Sequence, residues 1–164
     1  MLEGKRVFIT GGAGFIGTTL ARELVARNAV VAFDNLHRDA LAATDLADHE
    51  NFTLVAGDVL DAEAVRAAAQ GATHIVHCAA IAGVDTVLES PVRTMRVNVI
   101  GTYNVLEAAL ATQATVERFV DFSTSEVFGT HAFRTPRSSR SRRNARPARP
   151  PRAPPRARCT SRSR

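Results

Sequence analysis

The sequence predicts an α/β fold: a doubly wound parallel sheet of about five strands with helices on both faces. Two observations predict it. Short apolar runs alternate with stretches of helical periodicity in the order βαβαβαβαβ, and the runs are apolar at nearly every residue, as strands covered on both faces must be. Residues 5–10, KRVFIT, form the first strand and stop at a cluster of glycines. From Gly14 onward Phe15, Ile16, Leu20, Leu24 and Val25 recur at helical spacing, with Arg22, Glu23 and Arg27 on the other side, which predicts the first helix. Residues 29–33, AVVAF, give a second strand ending at Asp34-Asn35, residues 41–47 suggest a short helix, and residues 52–56, FTLVA, are strand three. Asp61 can cap a helix over 62–69, because Glu63 then lies in the first turn, where the helix dipole favours negative charge; Gly71 stops it. THIVHCA, 73–79, is strand four, and RFVDFS, 118–123, is strand five. Between them Ser90-Pro91 opens a long helix to about residue 112, with Ser at the cap and Pro in the first turn.

The chain divides in composition at residue 133. From Arg134 to Arg164 it holds 12 Arg, 6 Pro and 5 Ser, and no Gly, Asp, Glu or large apolar type. Such a tail cannot bury enough surface to fold, and disorder is expected. Residues 1–133 hold nine of the 21 basic residues and all 16 acidic ones, so the folded part carries −7 and the pI near 10.5 describes the tail. Arg, Pro, Ala and Ser with almost nothing else is what GC-rich DNA encodes out of frame, so a shifted reading frame near residues 133–136 is the first explanation. The second is a basic arm that binds nucleic acid or an anionic surface by counterion release. No interleaved aromatics support base stacking in it.

Other classes are excluded by arithmetic. No apolar run approaches the roughly 18 residues of a membrane span, and Val7-Phe8-Ile9 is too short for a signal-peptide core, so the chain reads as cytosolic. Cys78 and Cys159 make neither a disulfide framework nor a metal-ligand pair. His37, His49, His74, His77 and His131 lack partner spacing for a metal, and His77 reads as a strand-end core residue.

The chemistry begins at Thr10-Gly-Gly-Ala-Gly-Phe-Ile-Gly17, which contains both Gly12-x-Gly14-x-x-Gly17 and Gly11-x-x-Gly14-x-x-Gly17 between a strand and a helix. Glycines there tighten the turn, let backbone N–H groups approach a pyrophosphate and set that anion at a helix N-terminus. Asp34 ends strand two at close to the spacing from the glycine turn at which a carboxylate meets the adenosine ribose. A carboxylate that accepts from both ribose hydroxyls repels a 2′-phosphate, so NAD is expected over NADP, with Arg38 the residue that speaks for the phosphate. Asp58, after strand three, stands where it can accept from an adenine amino group.

These residues resemble the extended short-chain dehydrogenase/reductase family, specifically its NAD-dependent nucleotide-sugar epimerases and dehydratases, and the resemblance implies a Rossmann-type fold whose sheet, at about five strands, is incomplete for the family. The resemblance covers residues 5–129 in order: TGGAGFIG at 10–17, Asp34-Asn35, GDV at 57–59, HCAA at 77–80, VNVIGTYNVLEAA at 97–109 and STSEVFG at 123–129. It implies that Gly11, Gly14, Phe15 and Ile16 hold the pyrophosphate turn and that Asp34, Asn35, Asp58 and Val59 frame the adenosine. It further implies that Cys78, Ala79 and Ala80 line the cofactor channel, that Asn98 braces the chain near the nicotinamide half, and that Ser123 approaches the cofactor through its backbone. Thr124 takes the place of the hydroxyl that hydrogen-bonds the sugar 4-oxygen, where the family transiently oxidises C4 so that epimerisation, elimination or decarboxylation can follow. Dehydratases of the family usually carry Thr-Asp-Glu, whereas Thr124-Ser125-Glu126 is similar to decarboxylases and some epimerases, with Glu126 a candidate base. A nucleotide-sugar substrate and a homodimer are typical of the family; a membrane partner is not expected, nor is nucleic acid.

One family feature is missing. Tyr-x-x-x-Lys is expected beyond the Thr, in the region of 138–151, where this chain has SSRSRRNARPARPP. Tyr103 is the only Tyr, with Glu107 at its +4 position, and Lys5 is the only Lys. The loss of a positioned general base typically costs about 10²–10⁴-fold in rate, so the chain as written is expected to be inactive. Its other reading is a non-catalytic dinucleotide-binding module with a basic arm.

Overall fold

The computed structural model describes residues 2–124 and Val127. They fall into a compact unit that ends at Ser123 and a second that begins at Thr124, where the Val127 N–H donates to the Thr124 carbonyl at 3.3 Å. The arginine-rich tail lies outside the described residues.

Five strands carry the first unit: β1 (Arg6–Thr10), β2 (Ala29–Asp34), β3 (Phe52–Ala56), β4 (His74–His77) and β5 (Arg118–Asp121). All pair in parallel, in the order β3-β2-β1-β4-β5. The chain winds outward from β1 to β3, returns across the sheet and winds outward again to β5, which gives the doubly wound sheet its switch point between β1 and β4. Alternation along β1 shows how the sheet is covered. Val7 and Ile9 face one core, with Ala21 and Val25 from α1 (Phe15–Leu24) and its C-cap, while Phe8 faces the other. That second core takes Val65 from α2 (Ala62–Ala68) and Val105 and Ala108 from α5 (Thr102–Ala111). The sheet is thus sandwiched, as the near-continuous apolar strands required.

The remaining elements run from β4 to β5. These are α3 (Val84–Glu89), then α4 (Pro91–Met95), which passes through a π-helical stretch at Arg96–Gly101 into α5. Asp61 caps α2 as expected, its Oδ1 accepting from the Glu63 and Ala64 N–H groups at 3.1 Å each.

Three local expectations are corrected, and one helix is added. The helix over 41–47 is instead two 3₁₀ turns, Leu41–Ala43 and Leu46–Asp48, because Thr44 is extended (φ −130°) and its hydroxyl donates back to the Leu41 carbonyl at 2.8 Å. Ser90 precedes Pro91 but makes no side-chain cap; its carbonyl accepts from the Thr94 N–H and hydroxyl. Strands four and five stop early, at His77 and Asp121. Finally, α3 has no counterpart in the sequence reading: it has only six residues, three of them β-branched, follows Gly83 at φ +106°, and has no side-chain cap.

Candidate functional site

A cavity opens at the carboxyl ends of the strands, where a doubly wound sheet places its ligands. Gly11 and Gly14 line it after β1, Phe33, Asp34, Asn35, His37 and Arg38 at the end of β2, Gly57 and Val59 after β3, and Cys78 to Ala82 after β4. Thr86 of α3, Arg93 of α4 and Val97 complete the wall.

The glycine turn is built by close approach. Gly11 has φ +67°, and a Cβ on it would lie 2.7 Å from the Ala79 N, so the exit of β4 packs directly on the turn. A Cβ on Gly17 would meet the Gly11 carbonyl oxygen and stand 2.7 Å from the Gly12 Cα, so α1 sits hard against the turn that precedes it. The N-terminus of α1 is left open: Gly14 offers no side chain to cap it, and its first turn has no acidic residue. The N-terminus of α2, by contrast, is closed by its own Asp61 and Glu63. Of these two helices only α1 keeps its first N–H groups for an outside anion.

Asp34 ties this turn to β2. Its Oδ2 accepts from the Ala13 N–H at 3.1 Å, and its Oδ1 accepts from the Leu36 N–H at 2.8 Å. Leu36 stands at φ +60°, uncommon for a leucine, and the carboxylate holds it there. Asp34 is 9% exposed, so what remains of its accepting capacity faces the cavity it lines. Cys78 brings a neutral group to the opposite wall. Burial, aided by the negative charge of Asp121, pushes its thiol up to about 11. Asn98 does not line the cavity but braces it: its Oδ1 accepts from the Ile81 N–H at 2.8 Å and its Nδ2 donates to the Ile81 carbonyl at 2.9 Å.

The family model for NAD dependent epimerases and dehydratases matches residues 7–154. The chain belongs to that family. Over 139 residues it is 36% identical to a dTDP-L-rhamnose 4-epimerase of Burkholderia thailandensis, covering 82% of this chain and 38% of that protein. Over 131 residues it is 37% identical to a dTDP-glucose 4,6-dehydratase of Mycobacterium tuberculosis, covering 76% and 38%. The chain therefore spans about two fifths of the length of these curated relatives. Among solved structures, the Bordetella bronchiseptica enzyme WbmH in complex with NAD+ is similar with a TM-score of 0.68 at 32% identity, over 77% of this chain and 42% of that one.

Of the site residues expected from sequence, the cavity gathers Gly11, Gly14, Asp34, Asn35, Val59, Cys78, Ala79 and Ala80. Phe15 and Ile16 are placed at the start of α1 with exposed side chains, and Asp58 turns its Oδ1 to the Leu60 N–H at 2.9 Å. Neither these three nor the exposed Ser123 line the cavity. Thr124 belongs to the second unit, and Ser125 and Glu126 lie outside the described residues. Sequence reasoning missed Thr86, Arg93 and Val97. Their signal was absent because α3 was unread, and because no spacing rule says which face of a helix after β4 turns toward the strand ends. His77 is the buried strand-end residue expected, at 3% exposure. Among the described residues no cluster of three metal-ligating side chains occurs, and no helix is long and apolar enough to cross a membrane.

Proposed function

We propose that this chain is the cofactor-holding part of a nucleotide-sugar enzyme of the epimerase/dehydratase type, with NAD in the cavity at the strand ends. One observation carries the reading: a single cavity joins an uncapped helix N-terminus behind a glycine turn to a carboxylate at the end of β2. The residues fit the group. Gly11 and Gly14 leave room for a pyrophosphate on the α1 N-terminus, Asp34 accepts from ribose hydroxyls, and Val59 with Val97 offers apolar surface to a base. The neutral thiol of Cys78 and the methyls of Ala79 and Ala80 offer a flat, uncharged wall for the nicotinamide ring to lie against. Bound NAD supplies a hydride acceptor.

For the sugar, the resemblance assigns Thr124 to the 4-oxygen and Glu126 to proton abstraction. Ser125 stands where dehydratases carry an acid, so the reading favours epimerisation or decarboxylation over 4,6-dehydration. Calorimetry on the full chain tests the cofactor: NAD is expected to bind more tightly than NADP, and Asp34→Ala to narrow the difference. Equal or tighter NADP binding by the native chain, with Arg38 taking the 2′-phosphate, would overturn the assignment.

A further inference from the structure

Behind the cavity a chain of side-chain hydrogen bonds crosses three elements. Thr10 and His77 are register partners at the ends of β1 and β4, and the Thr10 Oγ1 lies 2.6 Å from the His77 Nδ1. The His77 Nε2 lies 2.9 Å from the Oγ1 of Thr102, the first residue of α5. The Thr102 hydroxyl donates to the Asn98 carbonyl at 2.7 Å, and the Thr10 oxygen accepts from the Ala79 N–H at 3.4 Å.

Proton counting fixes the state of the ring. Each hydroxyl has one proton to give. Thr10 has one acceptor among the described residues, the Nδ1 of His77, so that nitrogen is bare. The ring proton then sits on Nε2 and is accepted by Thr102, whose own proton is already committed to Asn98. Both ends of the chain give the same answer. An imidazolium would leave the Thr10 hydroxyl proton buried without an acceptor, since Thr10 is 0% exposed.

The tie reaches the cavity wall twice. Thr10 holds Ala79 at the point where its backbone packs on Gly11, and Thr102 holds the helical turn whose Asn98 side chain clamps Ile81. That turn is π-helical, a conformation concentrated at functional sites. We propose that His77 is a positioning residue for the cofactor: as the neutral Nε2–H tautomer, bridging Thr10 and Thr102, it fixes the 78–82 wall against the glycine turn. This rests on the reading of the cavity as a dinucleotide site.

Ring ¹⁵N–¹H correlation spectra of the full chain, with His77 assigned by its loss in His77→Gln, should show the proton on Nε2 alone at neutral pH. Thr102→Val keeps the shape and removes the hydroxyl; Thr102→Ser restores it. Thr102→Val should weaken NAD binding roughly fivefold, the equivalent of about one hydrogen bond, and speed exchange of the Ala79 and Ile81 amides. Thr102→Ser should stay within roughly twofold of the native chain on the same scale. A proton on Nδ1, a mixture of tautomers, or equal NAD affinity for the Val and Ser variants would overturn the proposal. An Nε2–H ring with Val-sensitive amides in a chain that never binds NAD would instead overturn the cofactor reading and leave the tie standing.

Discussion

At the residue scale, two buried polar side chains do most to shape the site. The Asp34 carboxylate bonds the Ala13 and Leu36 N–H groups, so it builds the pocket before any ligand meets it. Asp34→Ala should therefore lower stability as well as selectivity, and Asp34→Asn, which keeps one oxygen, is the gentler probe. His77 sets a pH dependence. Burial holds its ring below the ordinary value of 6.5, against the opposing charge of Asp121. Between the lowered folded value and 6.5 the unfolded chain binds more protons, so stability rises with pH. The contribution is complete above about 6.5 and is lost as pH falls from there toward the folded value. Urea midpoints at pH 8 and pH 5.5 should show the native chain losing stability on acidification and His77→Gln losing less; equal losses would remove His77 as the cause. Glu117 acts in a separate, more acid window. Its hydrogen bond to the Lys5 ammonium, 2.7 Å away, lowers it from 4.5.

At the element scale, the two N-termini of α1 and α2 give a paired prediction. Gly17→Ala drives a methyl into the Gly11 carbonyl and the Gly12 Cα, so α1 must back away from the turn. Overpacking of this kind costs about 1–3 kcal/mol, and NAD binding should fall with it, since the anion site moves. Asp61→Ala removes the oxygen that accepts from two N–H groups at the α2 cap and should cost about 1 kcal/mol while leaving NAD affinity alone. Thermal unfolding and calorimetry on both variants separate the cases. A Gly17→Ala chain that binds NAD like the native one would show that α1 does not hold the pyrophosphate.

At the scale of the whole molecule, the outward face of the 91–111 helical run is apolar and exposed among the described residues. Val92, Met95, Val99, Tyr103, Leu106 and Leu110 recur at three- and four-residue spacing and are 43–74% exposed, opposite the buried Asn104, Val105 and Ala108. A continuous apolar stripe of this kind marks an interaction surface. Sedimentation should show a concentration-dependent dimer or larger species, and Leu106→Lys with Leu110→Lys should shift it toward monomer. Unchanged sedimentation would mean that the stripe is not the surface through which copies associate.

Catalysis belongs to the same scale. Lys5 is engaged with Glu117, and Tyr103 lies on the outward stripe of α5, so neither stands in for Tyr-x-x-x-Lys. The polypeptide as written should show no turnover of nucleotide sugars in a coupled assay. If the reading frame slips near codon 134, another frame should encode Tyr-x-x-x-Lys in the region of codons 138–151; its absence from both other frames would sink that explanation of the tail.

The sequence by itself determined the sheet, the glycine turn, the Asp34 carboxylate and the Asp61 cap, because each is a local matter. Strand apolarity, a capping residue and glycine spacing are governed by neighbours within a few positions. Only the tertiary structure decided that Gly11 touches Ala79, that each Asp34 oxygen accepts from a backbone N–H, of Ala13 and of Leu36, and that Arg93 and Thr86 reach the cavity. It also decided that His77, legible as a buried strand-end residue, bridges Thr10 and Thr102. These contacts join residues far apart in the chain, and which pairs meet depends on strand register and on how the helices cross the sheet, neither of which a one-dimensional pattern contains.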